Sequence, residues 1–216
     1  MIRGRRRATD LDGNAPDTSP TVLLIIDAIN DFNFEGAGLV LAGARPMAER
    51  IRRLKRLARR AGIPAVYVND NFGRWRSDFR KVVAHCGSAS ARGREVTRRL
   101  RPDALDYFVL KPRHSGFFST TLELLLEHFE ARTLILTGLL TDICVLFTAQ
   151  DAYMRGYALT VPPDCVVGRT PADHAWALVH MRRTLKADTR SSTALDLGGG
   201  AGARSARRLA RSRRAS

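Results

Sequence analysis

The sequence predicts a Rossmann-like α/β fold, in which helices cover both faces of a six-stranded, mostly parallel sheet and form three layers. Two observations support this prediction. Continuous apolar runs, which are typical of strands buried on both faces, alternate with segments of helical periodicity. The 216 residues are also enough for one such domain with short tails. Alternation of this kind indicates parallel βαβ units with right-handed crossovers.

The elements can be placed in order along the chain. The first helix is predicted over residues 43–61, where apolar residues occupy one side, and Gly62 and Pro64 end it. Residues 70–93 are interpreted as a long irregular segment, followed by a short helical pattern that ends near Leu100. Further helices are predicted over residues 120–129, 142–155 and 171–186. The predicted strands are residues 21–27, 63–69, 107–111, 132–137, 157–161 and 189–195. The last of these has the weakest strand pattern.

Positive charge dominates the composition, with a net charge of +15, and residues 190–216 hold seven arginines and one aspartate. We expect a flexible N-terminal tail over residues 1–20, one domain over 21–197, and a disordered basic tail over 198–216. If nucleic acid binds at all, we expect weak binding through this tail. The general excess of arginine over lysine is better explained by GC-rich coding than by a dedicated binding surface.

The sequence also indicates where the protein works. No apolar run approaches the roughly 20 residues of a membrane span, and no apolar segment of a secretory signal follows the N-terminal arginines. The three cysteines, Cys86, Cys144 and Cys165, lack the spacing of a disulfide framework or a metal site. We therefore expect a cytoplasmic protein that does not contact a membrane.

Three chemically capable side chains stand at the ends of predicted strands. Asp27 closes the first strand, Lys111 closes the third, and Cys144 lies in the first turn of the helix after the fourth. Because ligands bind outside the carboxyl ends of parallel strands, we expect the three to form one site. The helix N-terminus and Lys111 are expected to lower the pKa of the Cys144 thiol. Cys86 and Cys165 have no base nearby in the sequence and are interpreted as structural.

Each of the three residues alone also has an ordinary structural interpretation. Asp27 fits a strand-end cap, Lys111 a solvated charge and Cys144 an apolar filler of the core. Together they supply a base for the thiol proton, a cation that offsets the burial of the carboxylate, and a nucleophile. The combination favours catalysis over the three separate structural roles.

Three motifs surround these residues: residues 26–32 are Ile-Asp-Ala-Ile-Asn-Asp-Phe, residues 111–117 are Lys-Pro-Arg-His-Ser-Gly-Phe, and residues 138–145 are Gly-Leu-Leu-Thr-Asp-Ile-Cys-Val. With these motifs, in this order, the chain resembles the isochorismatase-like cysteine hydrolases over residues 21–195. The resemblance implies a six-stranded parallel sheet flanked by helices and a catalytic triad of Asp27, Lys111 and Cys144. It also implies a non-proline cis peptide between Leu139 and Leu140.

The reaction that we expect is hydrolysis of a C–N bond in a small molecule, within an amide, ureido or carbamoyl group, through a thioester on Cys144. Backbone N–H groups of Leu140 and Cys144 are expected to bind the oxyanion. Candidates for the pocket walls are Phe32, Trp75 and Phe117. We expect no cofactor, and we expect a homo-oligomer, either a dimer or a tetramer.

One departure from the family bears on metal binding. Nicotinamidases carry an Asp-x-His and a further histidine for a metal after the second strand, where residues 69–72 of this chain are Asn-Asp-Asn-Phe. The remaining His85 and His114 have no ligand spacing. We therefore expect no metal, and nicotinamide is disfavoured as the substrate.

The sequence leaves two alternatives to the amidase interpretation and excludes a third. An isochorismatase-type vinyl ether hydrolase needs the aspartate but no thiol, so an enzyme of this type that uses Asp27 is one alternative. A catalytically silent domain with a polyanion-binding basic tail is another. A dinucleotide oxidoreductase is excluded because no Gly-x-Gly-x-x-Gly turn follows the first strand.

Overall fold

One parallel sheet positions every part of the candidate site. The computed structural model of the chain describes residues 18–73 and 78–197. Within that range the strands are β1 (Thr21–Ile26), β2 (Ala65–Asp70), β3 (Tyr107–Lys111), β4 (Thr133–Leu139), β5 (Ala158–Thr160) and β6 (Val166–Val167). They pair in the order β3-β2-β1-β4-β5, with β6 on β4, and every pairing is parallel. The predicted parallel sheet of six strands is confirmed.

Helices cover both faces of the sheet, and they are α1 (Ala37–Arg60), α2 (Phe79–Cys86), α3 (Arg94–Arg99), α4 (Leu122–His128), α5 (Leu146–Met154) and α6 (Pro171–Thr184). Ile25 points into a buried cluster with α1, α2 and α3, which includes Ile51. Leu24 points into a second cluster with α4, α5 and α6, which includes Met181. Successive residues of a strand face opposite sides, so a strand covered on both faces is apolar throughout. The predicted three layers are confirmed.

The predicted strand over residues 189–195 is wrong. This segment contains a 3₁₀ turn, Ser192–Ala194, in place of a strand. The carboxylate of Asp164 accepts hydrogen bonds from the backbone N–H of Ser192 at 2.7 Å and from its hydroxyl at 2.5 Å, which holds the segment in a turn. The sixth strand is β6, whose Val166 pairs with Gly138 of β4.

Two helices also differ from the prediction. Helix α1 begins at Ala37 and continues through Pro46, whereas the sequence placed its start at residue 43. Helix α2 lies inside the segment that was interpreted as irregular. It is capped by Asp78, whose side chain accepts a hydrogen bond from the backbone N–H of Lys81 at 2.8 Å.

Parts of the chain that carry predictions lie outside the described residues. These are residues 1–17 of the expected N-terminal tail, the whole expected basic tail over 198–216, and Trp75. Among the described residues, no helix is long and apolar enough to cross a membrane.

We predict that Gly138→Ala destabilises the protein by at least about 3 kcal/mol, because an added Cβ overpacks the sheet in a backbone conformation that L residues rarely adopt. Gly138 has a φ of 109°, and a Cβ there would lie 1.9 Å from the carbonyl oxygen of Ile26. The free energy of unfolding, measured by urea denaturation, tests this.

The matched control is Gly38→Ala in α1, where a Cβ meets nothing within 4 Å. We expect this control to be neutral or to stabilise by up to about 1 kcal/mol, since alanine favours helix more than glycine does. Equal losses of stability in the two variants would contradict the close approach of β4 to β1.

Candidate active site

The carboxyl ends of three strands bring Asp27, Lys111 and Cys144 together. Asp27 directly follows β1, Lys111 is the last residue of β3, and Cys144 lies in a π-helical turn, Thr141–Val145, just after β4. Strands β1 and β4 are neighbours, and β3 lies beyond β2. The lysine side chain is long enough to reach past the end of β2, so the sheet order itself assembles the group.

The Lys111 ammonium group is the centre of this cluster, and its side chain is fully buried. Its Nζ lies 2.8 Å from Oδ2 of Asp27 and 3.5 Å from Sγ of Cys144. It also donates a hydrogen bond of 3.1 Å to the carbonyl oxygen of Arg113. A buried ammonium needs such partners, because leaving water costs several kilocalories per mole.

Asp70 is a member of the site that the sequence analysis missed. Its backbone N–H donates to Oδ1 of Asp27 at 2.6 Å, so both carboxylate oxygens of Asp27 are engaged. Its own carboxylate lies 3.6 Å from Nζ of Lys111. Asp70 ends β2 opposite Lys111. Its position at the end of a predicted strand, like those of Asp27 and Lys111, was the sequence signal that could have identified it.

Asn69 begins the segment, residues 69–72, that takes the place of the metal-binding Asp-x-His of nicotinamidases. Its side-chain amide donates to the carbonyl oxygen of Ile29 at 2.9 Å, and its Oδ1 accepts from the N–H of Ile29 at 3.2 Å. Asn69 is fully buried. Its two hydrogen bonds to Ile29 hold the loop after β1 against the end of β2. Among the described residues, no group of three or more His, Cys, Asp or Glu side chains is arranged to hold a metal ion.

The pKa of the Cys144 thiol is shifted in the direction opposite to the expected one. Burial raises the pKa of the Cys144 thiol, and the nearby Asp27 carboxylate raises it further, while Lys111 opposes both. The expected lowering of this pKa is therefore wrong. The helix-end and lysine effects that were expected to dominate are outweighed by the loss of water and by a carboxylate next to the sulfur.

The pKa of Asp27 is also raised, because burial destabilises the carboxylate more than Lys111 and the Cys144 thiol stabilise it. For Lys111, burial alone would lower the pKa, but Asp27 and Cys144 outweigh it and raise the pKa above its usual value. At neutral pH the cluster thus holds a charged ammonium, a protonated thiol and a carboxyl group of increased basicity.

The turn that carries Cys144 is anchored on two sides. The Asp142 side chain is almost fully buried and pairs with Arg169, whose Nε lies 2.7 Å from Oδ2. Thr141 shares a hydrogen bond of 2.9 Å with Nδ1 of His174 at the start of α6. Thr148 accepts from the N–H of Gly116 at 3.0 Å and donates to the Cys144 carbonyl at 2.6 Å, which ties the turn to the loop after β3.

The predicted oxyanion and pocket residues occupy different surroundings. Leu140 precedes the turn, and the peptide bond between Leu139 and Leu140 is cis. Phe32 is fully buried in the cluster with α1, whereas Phe117 is buried in the cluster with α5. The two rings therefore lie on opposite sides of the sheet and do not meet.

His114 is a second residue beside the thiol that the sequence analysis did not assign to the site. Its Nδ1 lies 4.0 Å from Sγ of Cys144, and its ring packs against Phe147 at a centroid distance of 5.4 Å. Both rings are exposed. His114 lies three residues after Lys111 in the same motif, which was the only sequence signal for it.

Comparison with known proteins identifies the family. The family model of the Isochorismatase domain matches residues 21–193. The chain is 37% identical over 166 residues to the uncharacterized isochorismatase family protein YaaI of Bacillus subtilis, which covers 77% of this chain and 91% of YaaI. It is 34% identical over 172 residues to the ureidoacrylate amidohydrolase RutB of Methylorubrum extorquens, which covers 65% of this chain and 67% of RutB.

Among solved structures, N-carbamoylsarcosine amidase from Thermoplasma acidophilum is similar with a TM-score of 0.65 and 29% identity, over 82% of this chain and 99% of that chain. The chain belongs to the isochorismatase family. Its enzyme class is hydrolase, as the amidohydrolases among its relatives indicate.

We predict that iodoacetamide alkylates Cys144 before Cys86 and Cys165, since Cys144 is 9% exposed and the other two are fully buried. Because the Cys144 pKa is raised, its labelling rate should increase about tenfold per pH unit through the neutral range, following the thiolate fraction. Peptide mapping by mass spectrometry at several pH values measures this. A rate that is already constant at neutral pH would show that the pKa is lowered instead.

Proposed function

We propose that this hydrolase cleaves a C–N bond in a ureido, carbamoyl or related amide group of a small molecule, through a thioester on Cys144. The observation that carries the proposal is the buried ammonium group of Lys111, which lies 2.8 Å from the Asp27 carboxylate and 3.5 Å from the Cys144 sulfur. A nucleophile, a base and a fixed cation within hydrogen-bonding distance are the parts that covalent catalysis requires.

In the proposed first half-reaction, Asp27 takes the thiol proton as the sulfur of Cys144 attacks the substrate carbonyl carbon. The raised pKa of Asp27 makes it a stronger base than an ordinary aspartate, and the charge on Lys111 compensates the thiolate as it forms. Backbone N–H groups of Leu140 and Cys144 stabilise the negative charge on the carbonyl oxygen. Asp27 then gives its proton to the leaving nitrogen, and the C–N bond breaks.

In the second half-reaction, water attacks the thioester. Asp27 is a carboxylate again after the amine has left, and it takes a proton from this water. The C–S bond breaks, and the proton returns to the sulfur. Asp70 keeps the carboxylate of Asp27 oriented throughout, because its N–H holds Oδ1 at 2.6 Å while Lys111 holds Oδ2.

The names of two relatives support the substrate class. RutB is a ureidoacrylate amidohydrolase, and the similar solved structure is an N-carbamoylsarcosine amidase. Both names specify a carbamoyl-nitrogen group as the part of the substrate that is cleaved or carried. We therefore place ureido and N-carbamoyl compounds ahead of simple aromatic amides as substrates of this chain.

A second candidate function is vinyl ether hydrolysis with Asp27 as the proton donor. The observation that favours it is the raised pKa of Asp27, because a carboxyl group that keeps its proton at higher pH is a better general acid. This reaction does not use the thiol, so the two functions predict opposite behaviour of Cys144.

We predict that Cys144→Ala and Asp27→Asn both abolish turnover of the best ureido or carbamoyl substrate. Loss of a general acid–base group costs about 10²–10⁴-fold, and loss of the nucleophile should cost at least as much. The measurement is ammonia release from a panel of ureido, carbamoyl and amide compounds. The control is Cys86→Ala, which removes a buried thiol outside the site and should leave kcat unchanged.

A covalent acyl adduct on Cys144, detected by mass spectrometry of the intact protein after rapid quenching, is expected for the wild-type enzyme. Near-wild-type turnover by Cys144→Ala, combined with loss in Asp27→Asn, would overturn the thioester mechanism and favour the vinyl ether reaction.

We further predict that prolonged treatment with a chelator leaves the turnover rate unchanged. The basis is Asn69, whose amide is occupied by hydrogen bonds to both backbone groups of Ile29. The rate is measured before chelation, after it, and after addition of zinc, iron or manganese. Inactivation that one of these metals reverses would show that residues 69–72 contribute to a metal site after all.

A further inference from the structure

Four arginines line a shallow groove beside α3. The groove has a volume of about 560 Å³, and its lining residues, all but one of them arginine, are Arg92, Arg94, Glu95, Arg98 and Arg99. All five side chains are exposed. Arg92 also donates a hydrogen bond of 3.2 Å to the carbonyl oxygen of Phe32, which fixes one end of the groove to the loop after β1.

Helix α1 extends this positive surface. Arg45 of α1 pairs with Glu95 of α3 at 3.1 Å, and Glu95 also pairs with Arg99 at 2.8 Å. Glu49, one turn further along α1, pairs with Arg52 at 2.7 Å. The two acids on this surface are therefore already neutralised by arginines.

We call this surface the basic face, and it consists of Arg45, Glu49, Arg52, Arg56, Arg92, Arg94, Glu95, Arg98 and Arg99. Arg56 and Arg99 lie close enough to Glu49 to lower the pKa of its carboxyl group, after the larger effect of the Arg52 hydrogen bond. Seven arginines against two glutamates leave a large excess of positive charge on α1, α3 and the turn that precedes α3.

We propose that the basic face binds the phosphate backbone of duplex nucleic acid. Guanidinium groups match phosphate oxygens in a two-pronged geometry, and a surface on which seven arginines outnumber two glutamates suits this ligand. Arg45 and Arg56 are eleven residues apart on α1, which corresponds to about 16 Å along the helix axis. This length corresponds to about five base-pair steps of a duplex that lies parallel to α1, at 3.4 Å of duplex axis each, so a single phosphate group is too small to occupy it.

The lining of the groove favours a duplex over a single strand. Single-strand binding surfaces combine positive charge with aromatic side chains on which the bases stack, and the five groove residues include no aromatic side chain. A duplex offers phosphates on its outside and keeps its bases inside. Binding at the basic face is therefore independent of base sequence and strongly dependent on salt.

Clustering distinguishes the basic face from a general excess of arginine. Helix α4 and the two residues after it, on the opposite face of the sheet, read Leu-Glu-Leu-Leu-Leu-Glu-His-Phe-Glu, with three glutamates and no arginine. A coding bias that acted evenly would not leave one layer so rich in arginine and a helix of the other without it. The proposal therefore assigns a binding role to arginines that the sequence analysis attributed to coding bias.

The test compares two double variants of the full chain, each of which loses two positive charges. Arg94→Gln with Arg98→Gln alters the groove, whereas Arg182→Gln with Arg183→Gln alters exposed positions of α6 on the opposite layer. Binding to a labelled DNA duplex is measured by fluorescence anisotropy at several salt concentrations. Urea denaturation midpoints equal to that of the wild type establish that both variants are folded.

The groove variant should bind the duplex about tenfold more weakly. Its slope of log affinity against log salt should fall by about two, one for each phosphate that the variant no longer neutralises. The α6 variant should bind like the wild type. Equal weakening of both variants would overturn the proposal, because it would assign binding to net charge or to the C-terminal arginines. Absence of duplex binding by the wild type, or equal affinity for a single strand of the same length, would also overturn it.

Discussion

Burial of the Lys111 ammonium group is the constraint on which the rest of the candidate site depends. A lysine removed from water is stable as a cation only where fixed acceptors surround it, and here they are the Asp27 carboxylate, the Cys144 sulfur and the Arg113 carbonyl. Each acceptor stands at or just past the end of a different strand or in the following loop. The order of the parallel sheet is therefore a chemical requirement of the site as well as an architectural feature.

The surrounding structure keeps these partners in place through neutral and paired contacts. The amide of Asn69 fixes the loop after β1, Thr148 joins the turn of Cys144 to the loop after β3, and Arg169 neutralises the buried Asp142. None of these contacts brings another free charge to the sulfur. Asp27, Lys111 and the Asp70 carboxylate beside Lys111 therefore set the charge of the cluster. Burial then determines that both Asp27 and Cys144 retain their protons more strongly than in water.

The sequence allowed the layers of the fold and the positions of Asp27, Lys111 and Cys144 to be predicted, because strands buried on both faces leave long apolar runs that end abruptly. It did not reveal β6, since two valines are too few to show a period. Asp70 and His114 were missed because their roles depend on register and loop path, which bring a backbone N–H and an imidazole to atoms distant in sequence. The direction of the Cys144 pKa shift depended on the degree of burial, which no local pattern encodes.

Strand β3 is the outermost strand of the sheet on its side, paired with β2 alone among the described strands. The central cation of the site is thus supplied by a border strand, while its acid and its thiol come from interior positions of the sheet. Border strands open in local fluctuations that leave the remainder of a protein folded. Such an opening would withdraw the ammonium group and leave a carboxylate and a thiol without their counterion. The site can therefore lose its catalytic arrangement by a partial opening of this border, which requires less free energy than unfolding of the whole domain.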